Sequence, residues 1–183
     1  MSMKYEELDE RTRSLMLSEF EAEEASGNPY RSRALSPEGL SAFPNLMREA
    51  IRSGNEDTLF QAINRSDYWI PTEPFVREGK PGIRKRNIPQ SAERLAVTEF
   101  STWYVKGFAK RLLEEGIESC QVYRGEFPKW EPGECSVHEG QIVATQAIYD
   151  SHRTRYWPEP GRMDAFSIPF GPGCHHLIRR IPR

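Results

Sequence analysis

Nowhere does this 183-residue sequence hold the roughly 20 consecutive apolar residues that a membrane span needs, and its opening, MSMKYEELDERTRSLM, has no apolar signal core. A soluble, unprocessed protein without a membrane partner is expected. Three cysteines, an odd number without close regular spacing, do not make a disulfide framework and suit a reducing compartment. A basic surplus is missing too: the net charge of −2 excludes a general nucleic-acid coat and leaves room only for a local basic patch. No Gly-x-Ser-x-Gly elbow, His-Glu-x-x-His helix, phosphate loop, dinucleotide glycine pattern or internal repeat appears. The chain is accordingly not read as an enzyme, and no cofactor is expected.

What is present reads as one globular body with appendages. The length suits a single domain. With 28% charged and 11% aromatic residues, the chain is polar for a compact enzyme yet too aromatic for a disordered one, which suggests elements that a partner covers. Residues 4–25 predict a helix with Tyr5, Leu8, Thr12, Leu15, Met16 and Phe20 on one face, stopped by Gly27, Asn28 and Pro29. Through Tyr30 this segment carries eight acidic against three basic side chains. Carboxylates in its last turn oppose the helix dipole, so something outside the helix should compensate them. A second helix begins at Ser36 and Pro37 and ends at Gly54, with Pro44 expected to kink or split it, and NEDTLFQAINRS makes a short third.

In DYWIPTEPFVREGKPGIRKRNIPQ, four prolines interrupt β-prone residues around the turn EGKPG, which predicts a projecting hairpin over residues 68–89. The clearest helix is one long amphipathic element over about 91–116, capped by Ser91 and closed by Gly116, with Ala92, Ala96, Phe100, Trp103, Tyr104, Gly107, Phe108 and Leu112 as its stripe. Gly107 within that stripe suggests a close backbone approach. Beyond it, ESCQVYRG reads as a strand, QIVATQAIYDSHRTRYW as a helix, and residues 165–183 as an extended tail of two short segments. The expected fold class is α+β: an acidic N-terminal helix over 1–30, then one α+β domain over 31–183, with a helical core, the hairpin arm and a proline-rich C-terminal region.

From Cys120 onward lie all the cysteines and histidines. Cys120, Cys135, His138 and either Cys174 or His176 can be drawn as a tetrahedral zinc set, but structural zinc sites usually show two close ligand pairs and only Cys135-x-x-His138 is clean. The reading preferred is a tail without metal, its side chains packed or hydrogen-bonded. His138 with Glu139, or His152 near Tyr149, could serve as acid–base groups with Cys135 or Ser136 as nucleophile, pairings that arise easily by chance. The basic hairpin residues Arg77, Lys80, Arg84, Lys85 and Arg86 suggest docking on the acidic helix of another copy, at Glu19, Glu21 and Glu23.

At ALSPEGLSAFPNLMREAI, AERLAVTEFSTWYVKGFAKRLLEEG, CQVYRGE and SIPFGPG the sequence resembles small uncharacterised proteins of tailed phages and prophages, most of all virion components of the neck. The resemblance implies a viral structural protein, a head–tail connector (adaptor) assembling as an oligomeric ring with portal, neck or capsid proteins. It would be found in the virion, and in the host cytoplasm during assembly. In that pattern small polar residues follow the Gly-Pro turn, so Cys174-His175-His176 departs from it. Capsid decoration is a nearby alternative. A small zinc-containing nucleic-acid-binding protein or nuclease, with Arg84, Lys85 and Arg86 on phosphate, is a competing class; nucleic acid is possible but not favoured.

Overall fold

The computed structural model describes residues 3–126 and 135–182, with the side chains of residues 135 and 136 outside the description. The order of elements is α1 (Glu10–Ala25), α2 (Pro37–Ser53), α3 (Glu56–Ile63), β1 (Thr72–Arg77), β2 (Lys80–Lys85), α4 (Ile88–Glu114), β3 (Ser119–Arg124), β4 (Ile142–Ala144), α5 (Thr145–Asp150) and β5 (His176–Arg179). Strands β1 and β2 form an antiparallel hairpin; β3 lies between β4 and β5 in a second antiparallel sheet. The protein is α+β. None of the described helices is long and apolar enough to cross a membrane.

Helix α4 is the axis. Its expected apolar stripe is buried, but so is every residue from Leu95 to Val105, because α1, α3, α5 and β5 all pack on it. A helix covered all round has no solvent face to mark. It starts before Ser91: the Asn87 side chain accepts from Gln90 N–H and caps the first turn, where Pro89 costs no hydrogen bond. Gly116 ends it in the left-handed region at φ 72°. A Cβ on Gly107 would lie 2.6 Å from the Met16 backbone nitrogen, so the close approach read from the stripe is that of α1.

That contact corrects the division at residue 30. Met16 and Phe20 of α1 share one core with Met47, Leu59, Phe100, Val122 and Ile178. Phe20 meets Trp103 edge to face at 5.3 Å between ring centres. The helix itself begins later than expected, at an Asp9 cap. Ahead of it the chain runs non-helically, tied by Lys4 N–H to the Gly125 carbonyl and by the Tyr123 hydroxyl to the Lys4 carbonyl.

Three further expectations are corrected. α2 is not split at Pro44 but runs as one helix from Pro37 to Ser53, with Phe43, Met47, Ala50 and Ile51 on its buried face. The helix expected over 141–157 is mostly something else: Ile142 and Val143, β-branched, pair with β3, α5 spans six residues, and turns follow. In the tail only His176–Arg179 is a strand. Arg179 and Arg180 reach back to Glu6 and Glu7 at 3.1 and 3.0 Å, clamping the two ends of the described chain together.

Candidate functional site

Three carboxylates of the acidic helix, those of Glu19, Glu21 and Glu23, are engaged within the chain. Arg48 donates to both Glu21 oxygens at 2.7 and 3.0 Å, and the Tyr149 hydroxyl donates to Glu19, with Lys106 Nζ 3.7 Å away. Glu23 lies 3.3 Å from His152 Nε2 and 3.4 Å from Arg153 Nε, and accepts from Tyr30 N–H. The chain itself supplies the compensation that the helix dipole demanded. Glu19, Glu21 and Glu23, named as the acceptor for a hairpin, thus each have partners within one copy.

Glu23 opens onto a buried charge cluster. Arg153 donates to both oxygens of Glu99 at 2.9 and 2.7 Å, with both side chains 2% exposed. Its guanidinium also faces the rings of Tyr30 and Trp103 at 4.7 and 5.1 Å. Burial alone would raise the Glu23 carboxyl; the hydrogen bond from His152 and the charge of Arg153 outweigh it and bring it down to about 2. Burial pushes His152, packed on Trp103, down to about 4, so its imidazole is neutral. The Tyr149 hydroxyl goes to Glu19 rather than His152, so that acid–base pairing is not formed. The cluster joins α1, α4 and the turns after α5, with Arg153 and Glu99 almost wholly buried in it.

The cysteines and histidines fall into two places. Cys120 is buried in β3, where burial pushes its thiol up to about 11. Cys174 Sγ lies 3.5 Å from Nδ1 of His176, two residues on, while the His175 carbonyl accepts from Gly125 N–H. His176 Nε2 lies 3.7 Å from Glu139, which pairs with Arg124, and His138 packs on Phe170. The tail side chains do pack and hydrogen-bond. Among the described residues no three His, Cys, Asp or Glu side chains are grouped to hold a metal ion; Cys135 and Ser136, named as ligand and nucleophile, have side chains outside the description.

The hairpin divides its five cations. Arg86, its side chain 10% exposed, donates to the Ile70 and Thr72 carbonyls and to Glu73, clamping the base. Arg84 pairs with Glu73 at 2.8 Å and lies over Phe75. Arg77, Lys80 and Lys85 are exposed.

The register explains what the two faces do. Pro74 pairs with Ile83 and Val76 with Pro81, so these four apolar side chains share one face; Val76 and Ile83 are 72% and 76% exposed. The other face covers itself, with Phe75 lying where a Cβ on Gly82 would meet it at 2.8 Å. The sequence contained the apolar face as the alternation of Pro74, Val76, Pro81 and Ile83, hidden by the more conspicuous run of cations.

Beside the hairpin base, a cavity of about 220 Å³ is lined by Tyr30, Trp69, Arg86, Arg94, Thr98 and Glu99. On another side of α4 a groove of about 330 Å³ runs between α3 and α4, its charged lining entirely acidic: Glu56, Asp57 and Glu93, with Phe60 and Val97. Comparison of the chain with known protein families, with curated proteins and with solved structures finds no match.

Proposed function

We propose that the protein is a structural component of a tailed-phage virion, a neck or head–tail connector (adaptor) protein that assembles as a ring among portal, neck or capsid proteins. The observation that carries the structural role is the uncovered apolar face of the hairpin. A two-stranded hairpin is marginal in water unless something packs on it, and this one projects Val76 and Ile83 outward under a rim of cations. The sequence resemblance to phage neck proteins supplies the setting. A buried and fully engaged charge cluster fits a rigid building block better than a reaction centre.

Mass photometry and negative-stain imaging of the purified protein test this reading. Closed particles of one fixed copy number are expected, alone or on addition of the portal protein of the same phage. A protein that stays monomeric in both conditions, or is absent by mass spectrometry from purified virions, overturns it.

A further inference from the structure

The acceptor for the hairpin is legible on the same chain. We propose that the hairpin of one copy seats in the α3–α4 groove of the next, its apolar face against Phe60 and Val97 and its exposed cations against Asp57 and Glu93. The inference rests on the ring reading above and names the surface that would close the ring.

Charge complementarity carries it. At the hairpin, Arg77, Lys80 and Lys85 are exposed: the register puts Lys85 on the apolar face and pairs Arg77 with Lys80 at the tip on the other, where Glu78 lies 4.0 Å from Arg77. In the groove the signs are reversed. Asp57 is exposed and Glu93 half-buried, and neither makes an ion pair among the described residues, unlike Glu19, Glu21 and Glu23 on α1. Glu56, 1% exposed, lies beneath this wall, with Met3 N–H donating to its Oε1. The groove is thus an acidic cleft with Phe60 and Val97 in its lining, and the hairpin an apolar ribbon that carries Lys85 on the same face and Arg77 and Lys80 at its tip.

Placement supports the same arrangement. Glu93 and Val97 lie on one stripe of α4, whereas Arg94 and Thr98 beside the hairpin base are each one residue further, about 100° round the helix. Donor and acceptor are therefore different patches on different sides of one axis. Such a contact is heterologous, and repeated from copy to copy it generates a closed ring or an open filament rather than a two-fold dimer.

The test is a charge exchange in the full-length protein. Lys80→Glu with Lys85→Glu should lower self-association at least about tenfold, as should Asp57→Lys with Glu93→Lys, and combining all four should restore most of it. Unchanged far-UV circular dichroism and melting temperature establish that the variants are folded. Val76→Asp provides a second donor variant that leaves the charges alone, with the same loss expected. If the groove variant assembles like the wild type while the hairpin variants do not, the hairpin docks elsewhere and this inference fails while the ring stands. If the wild type itself never self-associates, the ring reading fails with it. Hairpin variants that lose binding only to another particle protein, the copies themselves being monomeric, also overturn the copy-to-copy contact.

Discussion

Arg153 occupies a left-handed backbone conformation at φ 60°, which costs a side-chain-bearing residue about 1–2 kcal/mol, and its guanidinium is held between two carboxylates and two aromatic rings. Removing one member of a buried pair strands the other. Arg153→Met, which leaves Glu99 buried without its cation, should destabilise by about 3–5 kcal/mol, and adding Glu99→Leu should recover part of that loss in urea denaturation. His152 sets a pH dependence beside it. Its folded pKa of about 4 lies below the ordinary 6.5, so the unfolded chain takes up the proton first as the pH falls. The contribution of His152 is then lost between about pH 6.5 and pH 4, on the order of 3 kcal/mol in full, and is constant below, while Glu23, at about 2, costs further stability as it is protonated between about pH 4.5 and pH 2. His152→Gln should show a shallower fall over that window in melting temperature against pH; parallel curves for the two proteins would refute a buried neutral imidazole. At this scale the sequence was half legible. Glu99 stood as a charge inside the apolar run LAVTEFSTWYV, which calls for a buried partner. Its partner lies 54 residues on in a turn, and no spacing rule reaches that far.

Among the elements, those whose signals are local came through best. α4, the ends of α2 and α3, the hairpin and β3 follow from caps, prolines, glycines and periodicity, which act within a few residues. The segment from Ile142 to Trp157 did not, because two β-branched residues there are recruited by β3 and the helix-like remainder is broken into turns by tertiary contacts. Gly107 shows how far packing overrides propensity. Alanine in a helix interior is normally favoured over glycine by about 1 kcal/mol, yet Gly107→Ala should lower the melting temperature because its Cβ would strike the α1 backbone. The hairpin turn gives the opposite case. Glu78 and Gly79 both take positive φ, 52° and 76°, the pattern of a type I′ turn, in which Asn is far better suited than Glu to the first position. Glu78→Asn should slow amide exchange across β1 and β2 without touching either face that a partner would meet.

The molecule as a whole departs from its sequence reading in one respect: the acidic segment looks like an appendage and is a wall of the core. Charge patterning gives the sign of the partner groups but not the chain that supplies them. Eight acids on one short stretch advertise an electrostatic contact, but nothing in their spacing says whether the cations come from another copy or from Arg48, Lys106 and Arg153 of the same one.

The clamp between Glu6, Glu7 and Arg179, Arg180 has a genetic consequence. Leu177 and Ile178, fully buried, belong to β5, so the ribosome must have made residues 176–179 before the core can shut. A chain stopped just before His176 carries the complete hairpin and the complete groove, yet should lack a stable body to present them. Such a fragment should be cleared by proteolysis. If copies assemble as proposed, chains stopped there should therefore be recessive to an intact copy made beside them, whereas missense changes at Asp57, Lys80 or Glu93, which fold, should be dominant. Assembly yield from co-expression of each variant with the wild type measures the difference.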